Sequence, residues 1–501
     1  MKKYWCIFTC NKVFLNSAID LYRKGFAYPI LFTGDDINYD EAKKVFGKSV
    51  VSKNDLVFYP EKLEKIQYSA IDHNFFISEN YSRAKDRCLK MMDRLDIYGS
   101  FSRLDRDAIF NKLVLWLLNE FEGNPPDALI LSENPHSHTH YLMYEICSYK
   151  NVPALKFNTW LPVPLLYSQI LKTGERQIVK EKMDTNISKI MDDYIINFVE
   201  KLASQNEKGN FILPAIKIQI NQNKLKTKLI NFIKYGLILQ IKEFWFQFRK
   251  FFGETYYPIN PYKFGYFLRL RIRNTRENNL LKTFKKSYKG VDLEEEFVFF
   301  ALSYEPERTT NPDGNEFHDQ IIALTFLRSF IPKSYKIYVK EHPTQFLNAD
   351  RGSRGRSPIF YDAIQNISNL YIVNPEIETQ RFIRKSKFVA TISGSVGFEA
   401  STMGKKVLIF GDTWYENCPN TYKWNKDIKF HDFLNSEISS LKEIINFLIK
   451  QKNLFTIPGL QNGSAEKRFK EFLDANIDKE RFKYEEFKGI SHLIREFLKT
   501  C

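Results

Sequence analysis

The stretch Lys387-Phe-Val-Ala-Thr-Ile-Ser-Gly-Ser-Val-Gly-Phe-Glu-Ala400, continued by Met403-Gly-Lys-Lys-Val-Leu-Ile-Phe410, decides the fold of this 501-residue chain. An apolar run ends in a small, hydroxyl-bearing, glycine-rich turn, a short helix opens at about Val396, and a second apolar run resumes after Gly404. Strand, turn, helix and strand in that order make one step of a parallel sheet, with the turn at its C-terminal edge. Gly394 and Gly397 allow close backbone approach, Ser393 and Ser395 supply donors, and the helix start presents unpaired N–H groups, so the turn is predicted to cradle a phosphate ester. Glu399, in the first helical turn, either accepts hydrogen bonds from ribose hydroxyls or simply favours the helix dipole. The spacing is neither a Walker loop nor a dinucleotide fingerprint.

Working outward, the region from Glu296 to about 455 keeps the same alternation. Phe297 to Leu302, Lys336 to Lys340, Asn369 to Val373, Phe388 to Ile392 and Lys406 to Phe410 are predicted strands, and Phe317 to Phe330 and Ile438 to Ile449 predicted helices. In Ile337-Tyr-Val-Lys-Glu-His-Pro343 a strand runs into charged residues and stops at a proline, which sets Lys340 and His342 at the edge that carries the serine turn. His342 then either binds donor phosphate or is a structural strand-end histidine. The polar loop Ala301 to Gly314 leaves the first strand of this region. Its Glu305, Glu307 and Arg308 suit sugar hydroxyls, a carboxylate or a phosphate, unless the loop is merely solvated.

Residues 1 to about 165 alternate as well, with strands expected at Trp5 to Thr9, Pro29 to Thr33, Asp127 to Ser132 and Pro153 to Phe157, and helices at Ala108 to Phe121 and Tyr141 to Tyr149. Such alternation predicts a doubly wound parallel sheet. Residues 166–290 break the rhythm with a basic, aromatic-rich mixture that includes Lys224 to Lys234 and Phe244 to Lys250. Residues 456–501 hold further helical stretches, Glu466 to Leu473 and Ile490 to Leu498. The expected division is therefore a first lobe over 1–165, a basic insertion over 166–290, a second lobe over 291–455 and C-terminal helices over 456–501.

At 44% hydrophobic and 15% aromatic residues, the chain can bury two or three cores. Six cysteines, at 6, 10, 88, 147, 418 and 501, form neither paired knuckles nor a disulfide framework and read as reduced thiols. No stretch reaches the roughly 18 uninterrupted apolar residues of a membrane span, and no secretory signal is evident, so a cytoplasmic protein is expected. The net charge of +15 points to a polyanionic partner, which nucleic acid, anionic lipid or a phosphorylated substrate would satisfy. No nucleic-acid module is recognisable, and no nucleic-acid partner is expected.

Taken together, Tyr304-Glu-Pro-Glu-Arg-Thr-Thr310, Val339-Lys-Glu-His-Pro343, Thr391 to Ala400 and Phe410-Gly-Asp-Thr-Trp-Tyr415 resemble the capsule polysaccharide biosynthesis family, which includes Kdo transferases acting on capsule and lipopolysaccharide. The resemblance spans about 295–420 and extends weakly to Ser132-Glu-Asn-Pro-His136. It implies an α/β, GT-B-like fold of two Rossmann-like lobes facing a central cleft, with the basic, largely helical insertion between them. It also implies a glycosyltransferase that needs no metal and no cofactor beyond a nucleotide-sugar co-substrate, with CMP-Kdo or a related acidic sugar favoured and UDP- or GDP-sugars open. By the motif positions, donor contacts would come from His342 and from Ser393, Gly394, Ser395, Gly397 and Glu399, to which the residue chemistry read above adds Glu307, Arg308 and Lys340. Asp35-Asp36 and Asp105-Arg-Asp107 read as solvated and helix-start residues rather than metal ligands.

In Ser132-Glu-Asn-Pro-His-Ser-His-Thr-His140 the alternate spacing of the histidines does not match helical zinc geometry. Glu133 and His136 are the candidate catalytic residues, facing the cleft, where a base deprotonates an acceptor hydroxyl or a carboxylate shields an oxocarbenium-like centre; the other reading has them capping the next helix. The acceptor would be a lipid-linked or growing polysaccharide, and the basic insertion would attach the enzyme peripherally to the anionic inner membrane surface, or present a solvated basic face. A sugar-nucleotide epimerase or hydrolase, or a non-catalytic assembly protein, are the competing functions.

Overall fold

Strands covered on both faces read as continuous apolar runs, and β1 (Lys2–Phe8) is one, with Tyr4 to Phe8 all buried. The computed structural model describes residues 1–8, 12–34, 36–52, 71–95, 102–160, 163–207, 279–346, 354–461 and 463–501. In the first sheet β1 is joined by β2 (Ala27–Gly34), β3 (Val50–Ser52), β4 (Ala128–Leu131), β5 (Ala154–Thr159) and β6 (Leu165–Ile170). The order β3-β2-β1-β4-β5 is parallel, and β6 lies antiparallel on β5. The chain starts in the middle, steps outward and returns to the other side, which is the Rossmann-like winding. Alternate residues feed two cores. Trp5 and Ile7 pack with residues of the helices Glu79–Leu95, Arg103–Gly123 and His138–Tyr149, whereas Tyr4, Cys6 and Phe8 pack with residues of Lys12–Arg23.

Two expected boundaries move. The first unit comprises residues 1–92, 103–198 and 445–501, so it extends past 165 and takes in the whole tail. β6 and part of the helix Thr185–Glu207 belong to it. The tail supplies β13 (Thr456–Pro458), antiparallel to β6, and the helix Lys479–Thr500, whose Ile490, Leu493, Ile494, Phe497 and Leu498 complete the core around Phe14 and Leu15. The sequence places no strand at β6 or β13, because both are antiparallel strands at the margin of an otherwise parallel sheet, and β13 is only three residues long and ends in proline. The basic segments Lys224 to Lys234 and Phe244 to Lys250, with Thr9, Cys10 and Asp35, lie outside the described residues.

The second unit, residues 93–102 and 199–444, contains six strands: β7 (Phe297–Ala301), β8 (Lys336–Lys340), β9 (Leu370–Val373), β10 (Val389–Thr391), β11 (Val407–Ile409) and β12 (Thr421–Lys423). All are parallel, in the order β9-β8-β7-β10-β11-β12. The order reverses between β7 and β10, which makes that point the ligand crevice of such a sheet. Helix starts follow local capping. Asp319 caps the helix Gln320–Phe330 by accepting the Ile321 N–H at 3.0 Å, so the helix begins three residues after the expected Phe317. Ser440 and Glu443 form a capping box at the start of Leu441–Phe455, with the Glu443 N–H on Ser440 Oγ at 3.3 Å and the Ser440 N–H on Glu443 Oε2 at 2.6 Å.

Among the described residues no helix is long and apolar enough to cross a membrane. The described cysteines are free, and burial pushes the thiols of Cys6, Cys88, Cys147 and Cys418 up.

Candidate functional site

Because every strand of the second sheet points the same way, the segments leaving β7, β8, β10 and β11 emerge at one edge. The expected donor residues come from the first three. The serine turn leaves β10 and enters the seven-residue helix Val396–Thr402. Its groups are already engaged: Ser393 Oγ donates to the Thr309 carbonyl of one neighbouring loop, the Tyr415 hydroxyl of another donates to the Gly394 carbonyl, and Ser395 Oγ donates into the helix, to Glu399 Oε1 at 3.3 Å. Ser395 is the exposed member and makes no side-chain cap. Gly397 lies against Tyr415, where an added Cβ would collide with the ring. Phe398 packs on Trp414 at 4.7 Å between centroids, so the segment after β11 also braces this helix.

Glu399 is only 8% exposed, and burial raises its pKa to about 7, with the Ser395 hydroxyl opposing. Near neutral pH the carboxyl is thus poised between its charged and neutral forms. That is the behaviour of a buried group rather than of a surface residue complementing a helix dipole.

The loop from β7 is held on both flanks. Ser303 N–H donates to Gln320 Oε1 at 2.8 Å, Gln320 Nε2 donates back to the Ser303 carbonyl at 3.1 Å, and the Glu305 backbone exchanges bonds with the Gln345 amide at 2.9 and 2.8 Å. Glu307 is exposed, while Arg308 Nε lies 3.4 Å from Asp313 Oδ2. The loop meets the segment after β11 where Asp412 N–H donates to the Asp313 carbonyl at 2.7 Å.

His342 leaves β8 with its ring edge-on to Tyr304 at 5.7 Å. Thr344 N–H donates to Nδ1 at 3.3 Å, and an N–H can only donate, so Nδ1 is the acceptor. Burial pushes the ring pKa down to about 4, with Glu341 opposing and Arg356 assisting. At neutral pH the ring is uncharged and carries its proton on Nε2, a hydrogen-bond donor of fixed tautomer. Lys340 behaves differently. Burial lowers its pKa to about 8, with Glu378 opposing, and its Nζ donates to Thr379 Oγ1 at 2.8 Å and to the Ile377 carbonyl, which ties it to the entry of the helix Thr379–Lys385.

Sequence reasoning missed the pair behind this edge. Arg356 grips Glu341 through Nε at 2.7 Å and Nη2 at 3.0 Å, with both side chains 1% exposed. Tyr361 hydroxyl and the His342 N–H donate to the same carboxylate, each at 2.8 Å. The only signal was a charged residue between two apolar-patterned elements, with a partner fifteen positions away.

In the first unit, Glu133 and His136 follow β4, at the corresponding reversal between β1 and β4. His136 Nδ1 is 2.9 Å from the Asn134 carbonyl and 3.7 Å from Glu133 Oε2, and Lys156 Nζ donates to Asn134 Oδ1 at 3.0 Å. Ser137, not Glu133 or His136, caps the following helix, accepting the His140 N–H at 3.4 Å. Asp105 and Asp107 lie at the start of the helix Arg103–Gly123, and Asp107 accepts from Arg103 Nε at 3.1 Å. Among the described residues no group of three or more His, Cys, Asp or Glu is placed to hold a metal ion.

Residues 312–434 match the family model described as capsule polysaccharide biosynthesis protein. Solved structures similar to the chain include KpsC of Thermosulfurimonas dismutans, a beta Kdo 2,7 transferase, at 16% identity and a TM-score of 0.24 over 41% of this chain and 62% of that one. A second Thermosulfurimonas dismutans KpsC structure, a beta Kdo 2,4 transferase, is 15% identical with a TM-score of 0.22 over 36% of this chain and 63% of that one. The chain thus spans less than two thirds of either. UDP-GlcNAc 2-epimerase from Methanocaldococcus jannaschii is 11% identical with a TM-score of 0.22, over 94% of this chain and 99% of that one. No curated protein matches the sequence. At these scores the fold rests on the strand order itself. The matched segment carries His342, the Glu341–Arg356 pair and the serine turn, and over that segment the chain is similar to the capsule polysaccharide biosynthesis family.

Proposed function

We propose that the chain is a metal-independent glycosyltransferase of the GT-B type, which moves a sugar from a nucleotide-sugar to a growing capsule, O-antigen or other surface polysaccharide. One observation carries this reading: the β7 loop, the His342 turn and the serine turn converge at the reversal point of an all-parallel sheet, the last two of them within the family-matched segment. Neutral His342 donates through Nε2 to the donor phosphate, and that bond strengthens as the leaving nucleotide gains charge. Glu399 accepts from ribose hydroxyls. Ser395 offers the exposed hydroxyl of the turn, and Gly394 and Gly397 let the backbone approach. Glu307 and Arg308 address the sugar of the donor, for which a CMP-linked acidic sugar is favoured, and Lys340 supports the edge from behind. In the first unit, Glu133 and His136 act on the acceptor hydroxyl. The enzyme works in the cytoplasm, and the basic segment within 166–290 attaches it to the anionic inner face of the membrane where lipid-linked acceptors are made.

The test is a panel of CMP-, UDP- and GDP-sugars, read by thermal shift and by turnover. One nucleotide class should raise the melting temperature of the wild type. His342→Ala should weaken its binding by about tenfold or more, the loss expected for a hydrogen bond to a charged group. Glu399→Ala should weaken it as well. If no nucleotide stabilises the wild type, or both variants bind like it, the assignment is wrong. Epimerisation or hydrolysis of the donor without an acceptor would identify the competing enzyme class.

A further inference from the structure

We infer that Arg356, held by Glu341, is a positioning residue of the donor site, which locks the loop leaving β7 to the turn leaving β8 so that Tyr304, Glu305 and His342 are in place before any ligand arrives. What these loops are for rests on the donor reading above; that they are locked does not.

The guanidinium ties its own segment to two others. Nε and Nη2 grip the Glu341 carboxylate, Nη2 also donates to the Ser303 carbonyl at 2.9 Å, and Nη1 donates to the Gly355 carbonyl at 2.9 Å. The carboxylate in turn takes the His342 N–H and the Tyr361 hydroxyl. Gly355 packs on the backbone of Glu305 so closely that a Cβ there would overlap it, which brings the Arg356 segment directly against the β7 loop. Glu341 is thus linked through one residue to both walls of the crevice at the end of β7 and β8.

A buried ion pair is weak evidence for stability, since the desolvation of two charges offsets much of their attraction. Geometry distinguishes this pair. Arg83 and Glu145 in the first unit also form a bidentate pair, at 2.7 and 2.8 Å, but it joins two helices through side chains. Arg356 and Glu341 instead bind backbone groups of loop residues at the ligand edge of the sheet. Only a planar fork with several donors can do so at once, and a lysine can satisfy one or two of these acceptors but not all.

Arg356→Lys keeps the charge and removes the fork. Arg83→Lys does the same at the other pair and serves as the control. Hydrogen exchange is followed at the amides of Glu305 and His342 in the ligand-free protein, and affinity is measured for CMP, UDP and GDP alone, well below the melting temperature of each variant. In Arg356→Lys, exchange at both amides should speed up by about tenfold or more, and affinity for whichever nucleotide the wild type takes should fall by about tenfold or more, as expected when supporting contacts are loosened. Arg83→Lys should lower the melting temperature and leave both readouts unchanged. Wild-type exchange at these amides, or undiminished nucleotide affinity, in folded Arg356→Lys would overturn the inference. If the wild type binds none of the three nucleotides the donor reading fails, and the exchange comparison alone supports or overturns the lock. Should Arg356→Lys not fold, Tyr361→Phe, which removes one bond to Glu341 and spares the pair, should show a smaller change of the same sign at His342; no change there would overturn the inference.

Discussion

Gly397→Ala is expected to destabilise the second unit by roughly 1–3 kcal/mol and to abolish nucleotide binding at the serine turn. Two effects oppose each other. Alanine is the better helix former by about 1 kcal/mol in a helix interior, and less in a first turn such as this one. Against that, the new Cβ would meet the Tyr415 hydroxyl and stand 3.1 Å from two of its ring carbons. Tyr415 is 1% exposed and flanked by Phe398 and Trp414, so it cannot swing away without losing its bond to the Gly394 carbonyl. Overpacking therefore wins. Pairing Gly397→Ala with Tyr415→Phe removes the atom nearest the new methyl, and a double-mutant cycle by urea unfolding should show the two changes to be less than additive. Strict additivity, or a stable Gly397→Ala that binds nucleotide normally, would contradict this packing account.

Glu399→Gln should alter how stability depends on pH. The folded protein keeps a proton on Glu399 up to about 7, whereas an exposed glutamate loses it near 4.5. Between those values the native state holds more protons than the unfolded chain, so the wild type loses stability as pH rises through this window and carries the full penalty above it. The displacement corresponds to a penalty of order 3 kcal/mol. Glutamine has no such slope. Relative to the wild type, the variant should therefore gain stability steadily from about pH 4.5 to 7 and then level off, and parallel melting profiles would refute the assignment. Ribose hydroxyls that donate to the carboxylate would favour its ionised form, so nucleotide binding to the wild type should release a proton below pH 7, visible as a buffer-dependent calorimetric heat absent from Glu399→Gln.

The parallel strands were the most legible part of the sequence. Phe297 to Leu302, Ile337 to Val339 and Phe388 to Ile392 are almost wholly apolar and buried, as strands covered on both faces are, and turn residues bound them. The antiparallel margin of the first sheet was not legible, since β6 and β13 carry no strand pattern of their own and become strands by pairing at the sheet edge, β6 on β5 and β13 on β6. Helix starts were misplaced where a hydrophobic residue preceded the true cap, as at Ile438 and Phe317, although the Ser440–Glu443 box was present to be read. At the site, residue types near the strand ends announced themselves, but their roles did not. Lys340 and His342 are neighbours in sequence, yet one side chain is tied to the loop after β9 and the other packs against Tyr304. Arg356 escaped because its partners lie on distant loops and nothing local marks it.

The tail that closes the first sheet also has a consequence for how the protein is made. On the ribosome, the first unit begins before the second and finishes after it. Until residues 445–501 emerge, β6 lacks its outer neighbour β13, and the apolar face around Phe14, Leu15 and Ile130 lacks the helix Lys479–Thr500. The usual N-to-C order of domain completion is thereby reversed, and a nascent chain stalled before residue 445 would display an unfinished hydrophobic surface to chaperones while its later-made neighbour is already complete.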